Sequence, residues 1–354
     1  MKRSLLNATF FKAASLTLTL LVASHAQAQT IDTINRKSVK PQKGTITGIT
    51  RDEVKIKPGI SAEVSVPAND IVDVEWGGAP GALNLGRGAE NAGNFAVALE
   101  RYTEAAAEAG SSANVKMDIQ FLIARVTAKT AMEQDASKLD DAAAKLDAFV
   151  KANVTSFRFF DAVQLLGQVQ LAREDFTQAE TAFNRLAQAP WSDYKMAGQN
   201  AAGRLAIARG DFPGALKSYD AVLVQPATSA AEISRRNEAL LGKSAVLIEQ
   251  KNHAVALTTI TEAISKADPE DSAVQAEAYI LKGECLKALG QTKEAILAYL
   301  HVPVLFEKEA MLNAQALYNL ATLWDKVEQP ERGLAARTEL TEKYAESKWA
   351  KMLQ

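Results

Sequence analysis

The spacing of apolar positions along the chain changes twice. Residues 13–23 (AASLTLTLLVA) form an uncharged, mostly apolar run, preceded by Met1-Lys2-Arg3 and Lys12 and followed by the small-x-small triplet Ala26-Gln27-Ala28. A run of about eleven residues falls well short of the roughly twenty that cross a bilayer. A basic start, a short apolar run and a small-residue triplet together predict an export signal over residues 1–28, cleaved after Ala28. Between Ile31 and Trp76 the period becomes two, and Thr45–Thr50, Glu53–Lys57, Ala62–Val66 and Ile71–Glu75 are predicted strands. Arg51-Asp52, Pro58-Gly59 and Pro67-Ala68-Asn69-Asp70 separate them with turn chemistry. In Val54-Lys55-Ile56-Lys57 apolar and charged residues alternate, so residues 29–78 are expected to form a small barrel or curled sheet with one wet face. From residue 79 to residue 354 the apolar spacing is helical.

Within that helical region one unit recurs. Leu85-Gly86 leads to Ala89, Gly93-Asn94-Phe95, Ala98, Tyr102 and Ala105. With Gly86 as position eight, the same frame returns at Leu166-Gly167 with Phe176, Ala179 and Phe183, and at Ala202-Gly203 with Phe212, Ala215 and Tyr219. It continues at Leu241-Gly242, with two extra residues before Ala256 and Ile260, at Gly283 with Ala295 and Tyr299, and at Leu320-Ala321 with Gly333 and Leu340. The eighth positions 86, 167, 203, 242, 283 and 321 lie 81, 36, 39, 41 and 38 residues apart, so a degenerate copy is expected over 115–152. This unit resembles the tetratricopeptide repeat. The resemblance implies a mainly α fold: a solenoid of about seven helix-turn-helix repeats over 79–354. Small residues at positions eight and twenty let paired helices approach, while bulky ones at eleven and twenty-four fill the gaps beside them. Thr177–Glu180, Ser229–Glu232 and Ser272–Gln275 read as capping boxes, and Pro213 as a first-turn proline. The order of strands ahead of the repeats resembles the SH3-like or Sm-like barrels that begin some exported bacterial repeat proteins.

Composition narrows the chemistry. One cysteine and three histidines cannot build a multi-thiolate or multi-imidazole metal site. No glycine-rich phosphate loop, histidine–glutamate metal spacing or nucleophile elbow is present, so neither a cofactor nor catalysis is expected. Gly77-Gly78-Ala79-Pro80-Gly81 reads as a linker, Cys285 as a buried small hydrophobe, and His253 and His301 as packing or surface residues. Net charge is −2, and without residues 1–28 there are 37 basic against 42 acidic residues. Such a surface does not attract polyanions as a whole, which argues against nucleic acid. No other apolar stretch approaches a membrane span, and no cysteine lies near Ala28 to carry a lipoprotein anchor. Charge is nevertheless uneven: residues 36–57 carry seven basic side chains against Asp52 and Glu53. That patch is either a solvated face or a contact for an anionic envelope component or an acidic partner.

The resemblance also implies a concave groove, lined from the first helix of each repeat. It places there Asn84, Arg87 and Glu90; Asp161, Gln164 and Gln168; Asn200 and Arg204; Arg236 and Lys243; Glu277, Glu284 and Lys287; and Gln315, Tyr318 and Asp325. Arg204, Arg236 and Lys243 would then face one groove and favour an acidic peptide or a free C-terminal carboxylate. The expected function is a non-enzymatic scaffold of a bacterial cell envelope, periplasmic and part of an envelope complex, that holds a protein or peptide partner. The alternative is a glycan or envelope-polymer binder working through the β module, with the repeats as spacer.

Overall fold

The structure is a computed structural model describing residues 31–37 and 39–353; the export signal expected over residues 1–28 lies outside them. Five strands come first: β1 (Asp32–Arg36), β2 (Gln42–Ile49), β3 (Glu53–Lys57), β4 (Val64–Pro67) and β5 (Ile71–Glu75). They form an antiparallel sheet in the order β4-β3-β2-β1-β5, and the edge strands β4 and β5 do not pair. Strands β3 and β5 have their predicted bounds, whereas β2 starts earlier and β4 later than the alternation suggested. Strand β1 was not predicted, because Asp32-Thr33-Ile34-Asn35-Arg36 has one apolar residue. Polar side chains hold it instead. Asp32 accepts the Ile46 N–H at 3.0 Å, and the Asn35 amide donates to Asp73 at 2.9 Å and Glu75 at 3.1 Å. Ile34, Val54, Ile56, Val66 and Val74 bury one face of the sheet completely. A Cβ on Gly44 would sit 2.3 Å from the Lys57 carbonyl oxygen, so only glycine lets β2 and β3 close there.

Seven antiparallel helix pairs follow: α1 (Gly81–Asn91) with α2 (Phe95–Glu108), α3 (Ala113–Glu133) with α4 (Leu139–Ala152), α5 (Phe159–Ala172) with α6 (Phe176–Leu186), and α7 (Ser192–Ala208) with α8 (Phe212–Leu223). The remaining pairs are α9 (Ala230–Glu249) with α10 (His253–Lys266), α11 (Ser272–Ala288) with α12 (Thr292–Leu305), and α13 (Ala310–Lys326) with α14 (Pro330–Lys343); the single turn α15 (Lys348–Lys351) closes the array. The degenerate copy is thus a full hairpin, α3 with α4. Ser229 and Glu232 form the predicted capping box at α9, and Pro213 lies in the first turn of α8. At α6 and α11 the predicted caps are displaced: Asp175 and Asp271 cap these helices instead of Thr177 and Ser272. A carboxylate there both accepts the orphan N–H groups and opposes the positive end of the helix dipole. The released Ser272 hydroxyl donates to Glu309 at 2.5 Å, tying α11 to the residue before α13.

The glycine at position eight is a window for an aromatic ring. Added Cβ atoms on Gly86, Gly167, Gly203 and Gly283 would come within 2.3–2.6 Å of the rings of Tyr102, Phe183, Tyr219 and Tyr299, each sixteen residues later. Gly242 breaks this rule, because it faces Tyr219 of the preceding hairpin. Sixteen residues before the fully buried Ile260 stands Ser244, itself fully buried. The repeat frame through α9 therefore runs two residues later than the Leu241-Gly242 match placed it.

Sheet and helices share one core that runs from Ile34 to Ala197. At its centre the wholly buried Asp118 of α3 accepts hydrogen bonds from Trp76 Nε1 at 2.9 Å and Arg158 Nε at 3.0 Å, and an ion pair from Arg87 at 3.2 Å. The same two arginines donate to the edge of β5, Arg158 to the Val72 carbonyl at 3.0 Å and Arg87 to the Val74 carbonyl at 2.8 Å. Burial alone would raise the Asp118 pKa, but Arg158 and Arg87 outweigh it and hold the carboxyl below its ordinary range. The glycine-rich segment expected to be a linker is pinned here too, its Gly77 N–H donating to Asp32 at 2.8 Å.

Two stability outcomes follow from this packing. Gly203→Ala should cost about 1–3 kcal/mol by forcing a methyl into the Tyr219 ring, while Gly88→Ala, facing open space on α1, should gain up to about 1 kcal/mol from helix propensity. Chemical denaturation of the two variants reads both signs. Asp118→Asn, which leaves Arg87 and Arg158 only their longer contacts to Asp73 at 3.9 Å and Asp161 at 3.6 Å, should cost about 3–5 kcal/mol, against about 1–2 kcal/mol for Trp76→Phe.

Candidate concave binding surface

Successive first helices pack against one another, α3 with α5, α5 with α7, α7 with α9, α9 with α11 and α11 with α13, whereas the second helices pack chiefly on their neighbours in sequence. The first helices therefore line the inside of a curved array, and the second helices its outside. Side chains bridge the inner row from helix to helix. Tyr194 of α7 donates to Asp161 of α5. Asn200 of α7 donates to the Arg235 carbonyl of α9 at 2.8 Å, and Arg204 stands 3.9 Å from Glu238. Gln315 of α13 donates to Glu284 of α11 at 2.8 Å, and Lys287 to Asn319 at 2.6 Å.

These bridges sort the residues placed in the groove by sequence. Gln164, Gln168 and Arg204 are half-buried on the inner helices, and Asn84 is exposed on α1. Arg87 and the fully buried Asn200 serve the fold, the first at the sheet junction and the second as a strut to α9. Glu284 and Lys287 are struts to α13, and the Tyr318 ring lies 5.4 Å from Trp349 of α15, which covers it. Arg236 and Lys243 do not face Arg204. Arg236 lines an outer depression with Leu223, Glu262 and Lys266, and Lys243 reaches outward to Asp220 of α8 at 2.7 Å. The two-residue shift in α9 is the cause: about 100° of helix rotation per residue carries a misplaced pair to the opposite side. The corrected frame puts Glu238 on the groove, a residue the repeat match missed and that counting sixteen residues back from Ile260 to Ser244 would have found.

The electrostatic character of the groove changes accordingly. Burial pushes the Glu277 carboxyl up, Arg204 opposing and Glu238 reinforcing the rise. Burial likewise raises Glu284, against Lys287 and the Gln315 hydrogen bond. Beside Arg204 the surface thus presents Glu277 and Glu238, the latter also paired with Arg235 at 2.5 Å, in place of Arg236 and Lys243. The tyrosine hydroxyls behind the glycine windows differ as well. Tyr102 donates to Glu90 at 2.7 Å, while those of Tyr219 and Tyr299 have no hydrogen-bond partner among the described residues.

The curvature brings the ends of the array together around a cleft of about 920 Å³, lined by Glu90, Lys129 and Glu133 from the first hairpins and by Glu309, Lys343 and Tyr344 from the last. Glu90 is the anchored residue there, 2.7 Å from Arg125 and 3.0 Å from Lys129. Burial would raise its pKa, but Arg125, Lys129 and the Tyr102 hydroxyl hold it at about 2.

A family model for the tetratricopeptide repeat matches residues 133–194 and 200–272. No curated protein matches the chain. Among solved structures the chain is similar to a tetratricopeptide repeat protein from Parabacteroides merdae (13% identity over 77% of this chain and 95% of that one, TM-score 0.49). It is also similar to a Rap protein complexed with Competence and Sporulation Factor (15% identity, 76% of each chain, TM-score 0.48) and to the type IV pilus biogenesis factor PilW (14% identity, 65% of this chain and 98% of that one, TM-score 0.43).

The depressed Glu90 pKa makes an acid-stability prediction. A carboxyl ordinarily at 4.5 and held at about 2 in the fold stabilises above pH 4.5, and that contribution disappears as pH falls towards 2. Glu90→Gln should flatten this part of the stability–pH curve, on the order of 3 kcal/mol between the two limits, when thermal unfolding is followed from pH 5 to pH 2.

Proposed function

We propose that this chain is a non-enzymatic adaptor of a bacterial cell envelope, which holds an extended segment of another polypeptide along the inner face of the solenoid. The fold supports a protein-binding role, and the export-signal pattern at residues 1–28 supports the compartment. The observation that carries the reading is the set of half-buried polar side chains on successive inner helices, Gln164 and Gln168 on α5, Arg204 on α7 and Glu277 on α11, that the fold does not use as close struts. Amide and mixed-sign groups at that spacing suit hydrogen bonding to an extended main chain with polar side chains. An acidic guest loses its support, since Arg236 and Lys243 face outward and Glu238 and Glu277 flank Arg204. The glycan alternative loses its platform. Trp76, the one aromatic residue of 31–80, is buried and hydrogen-bonded to Asp118.

Site-specific photo-crosslinking tests this reading. A photoreactive residue at Gln168 or at Glu277 should capture a discrete polypeptide from envelope extract, and the same residue at the outward-facing Leu297 of α12 should not. Equal capture at all three positions, or capture at Leu297 alone, would remove the groove from the function.

A further inference from the structure

The β sheet carries a surface that the groove does not explain. Lys57 at the end of β3 pairs with Thr45, and Gln42 at the start of β2 pairs with Ile34 near the end of β1, so the β1–β2 loop (37–41) and the β3–β4 loop (58–63) leave the sheet at the same end. Lys40, Lys43 and Lys57 are exposed there, and none has an acidic partner among the described residues. Lys43 and Lys57 lie on the same wet face, since both share the side of Thr45. The nearest carboxylate in the loops, Glu63, accepts the Thr47 hydroxyl at 2.5 Å. This end of the sheet thus carries three lysines without an acidic partner, in a chain whose net charge is −2.

An apolar tip projects from the same end. Ile60 is fully exposed, and Val39 in the neighbouring loop is half exposed. Ile60 is not on a slack segment: the Ser61 N–H donates to the Pro58 carbonyl at 2.9 Å, and Gly59 takes a positive φ of 53°, closing a tight turn that presents the side chain. Lysines alone would suit any polyanion. A large aliphatic side chain held outward among them gains free energy only where an apolar phase lies behind the negative layer.

We propose that this end of the sheet docks on an anionic lipid surface, with Lys40, Lys43 and Lys57 against the headgroups and Ile60 inserted between them. Such contact is peripheral and reversible. Each lysine near an anionic bilayer is worth roughly a fivefold change in partitioning, and one buried isoleucine roughly tenfold. It places the adaptor at a membrane face without a spanning helix, and no helix among the described residues is long and apolar enough to cross one.

Co-sedimentation of the full chain with phosphatidylglycerol–phosphatidylcholine vesicles, against phosphatidylcholine vesicles alone, tests the proposal. Every variant retains the same N-terminal segment, so differences belong to the sheet. The wild type should pellet with the anionic vesicles and be released by salt. Lys43→Glu with Lys57→Glu should weaken partitioning about 25-fold or more, and Ile60→Asp about tenfold, with helicity by circular dichroism unchanged. Equal pelleting of wild type and variants, or equal binding to both vesicle types, overturns the assignment. So does loss of binding in the lysine variant with Ile60→Asp behaving as wild type and soluble polyphosphate competing, since that pattern identifies a soluble acidic macromolecule instead.

Discussion

A single carboxylate, Asp118 on α3, sets the relation between the sheet and the helices. It is wholly buried, and Trp76 from the end of the sheet, Arg87 from α1 and Arg158 from the start of α5 all converge on it. An isolated buried charge would cost several kcal/mol; here two guanidinium groups and an indole N–H satisfy both oxygens, which is the condition under which such a charge is tolerated. The arginines also answer a second problem. Strand β5 is an edge, and an open edge is a template for unwanted pairing. By donating to the carbonyls of Val72 and Val74, Arg158 and Arg87 close that edge with side chains from the helices. The sheet is consequently packed on the helices as far as α7, where Asn69 donates to Asp193 at 3.0 Å, and is not a module swinging on residues 77–81.

Beyond that junction the array depends on close approach, repeated pair by pair. A helix hairpin cannot bury its own apolar face, so each pair is stable only against its neighbours. The glycine windows set the distance, since a ring lying flat on a helix backbone leaves no room for a Cβ. In α9 the window residue is replaced by Ser244, whose hydroxyl donates to its own helix at the Leu240 carbonyl, 2.8 Å away. A small polar residue can stand in for glycine because it satisfies its own hydroxyl. Gly242, left free by this replacement, admits Tyr219 from the previous hairpin, so one ring is clasped by two helices.

The same detail explains how far the sequence could be read. Helical spacing and the glycine-to-aromatic interval made the solenoid legible, the degenerate hairpin α3 with α4 included, because core burial imposes those periods directly. Strand β1 was hidden because its pairing is stabilised by Asp32 and Asn35 and not by an apolar stripe. Two caps were misplaced because an aspartate one or two residues upstream is the better acceptor, and a box pattern alone does not rank the competitors. The groove was the least legible part. Which way a polar side chain points on a helix depends on register to within one residue, and a two-residue error in α9 turned Arg236 and Lys243 from the inner face to the outer one. Core positions report their own register through burial, while surface positions have no such check.

That correction changes the electrostatic division of labour. A groove gathering Arg204, Arg236 and Lys243 would have competed with the sheet for the same anionic partners. With the latter two directed outward and Glu238, Glu277 and Glu284 on the inner helices, the concave face has mixed sign, while Lys40, Lys43 and Lys57 stand together at one end of the sheet. Two surfaces of different character do not compete for the same ligands. Because that junction is rigid, whatever the sheet end rests against also fixes the direction in which the groove opens. Orientation of this kind is what an adaptor needs if it is to present one macromolecule to another, and it follows from the placement of charge without requiring any motion between sheet and solenoid.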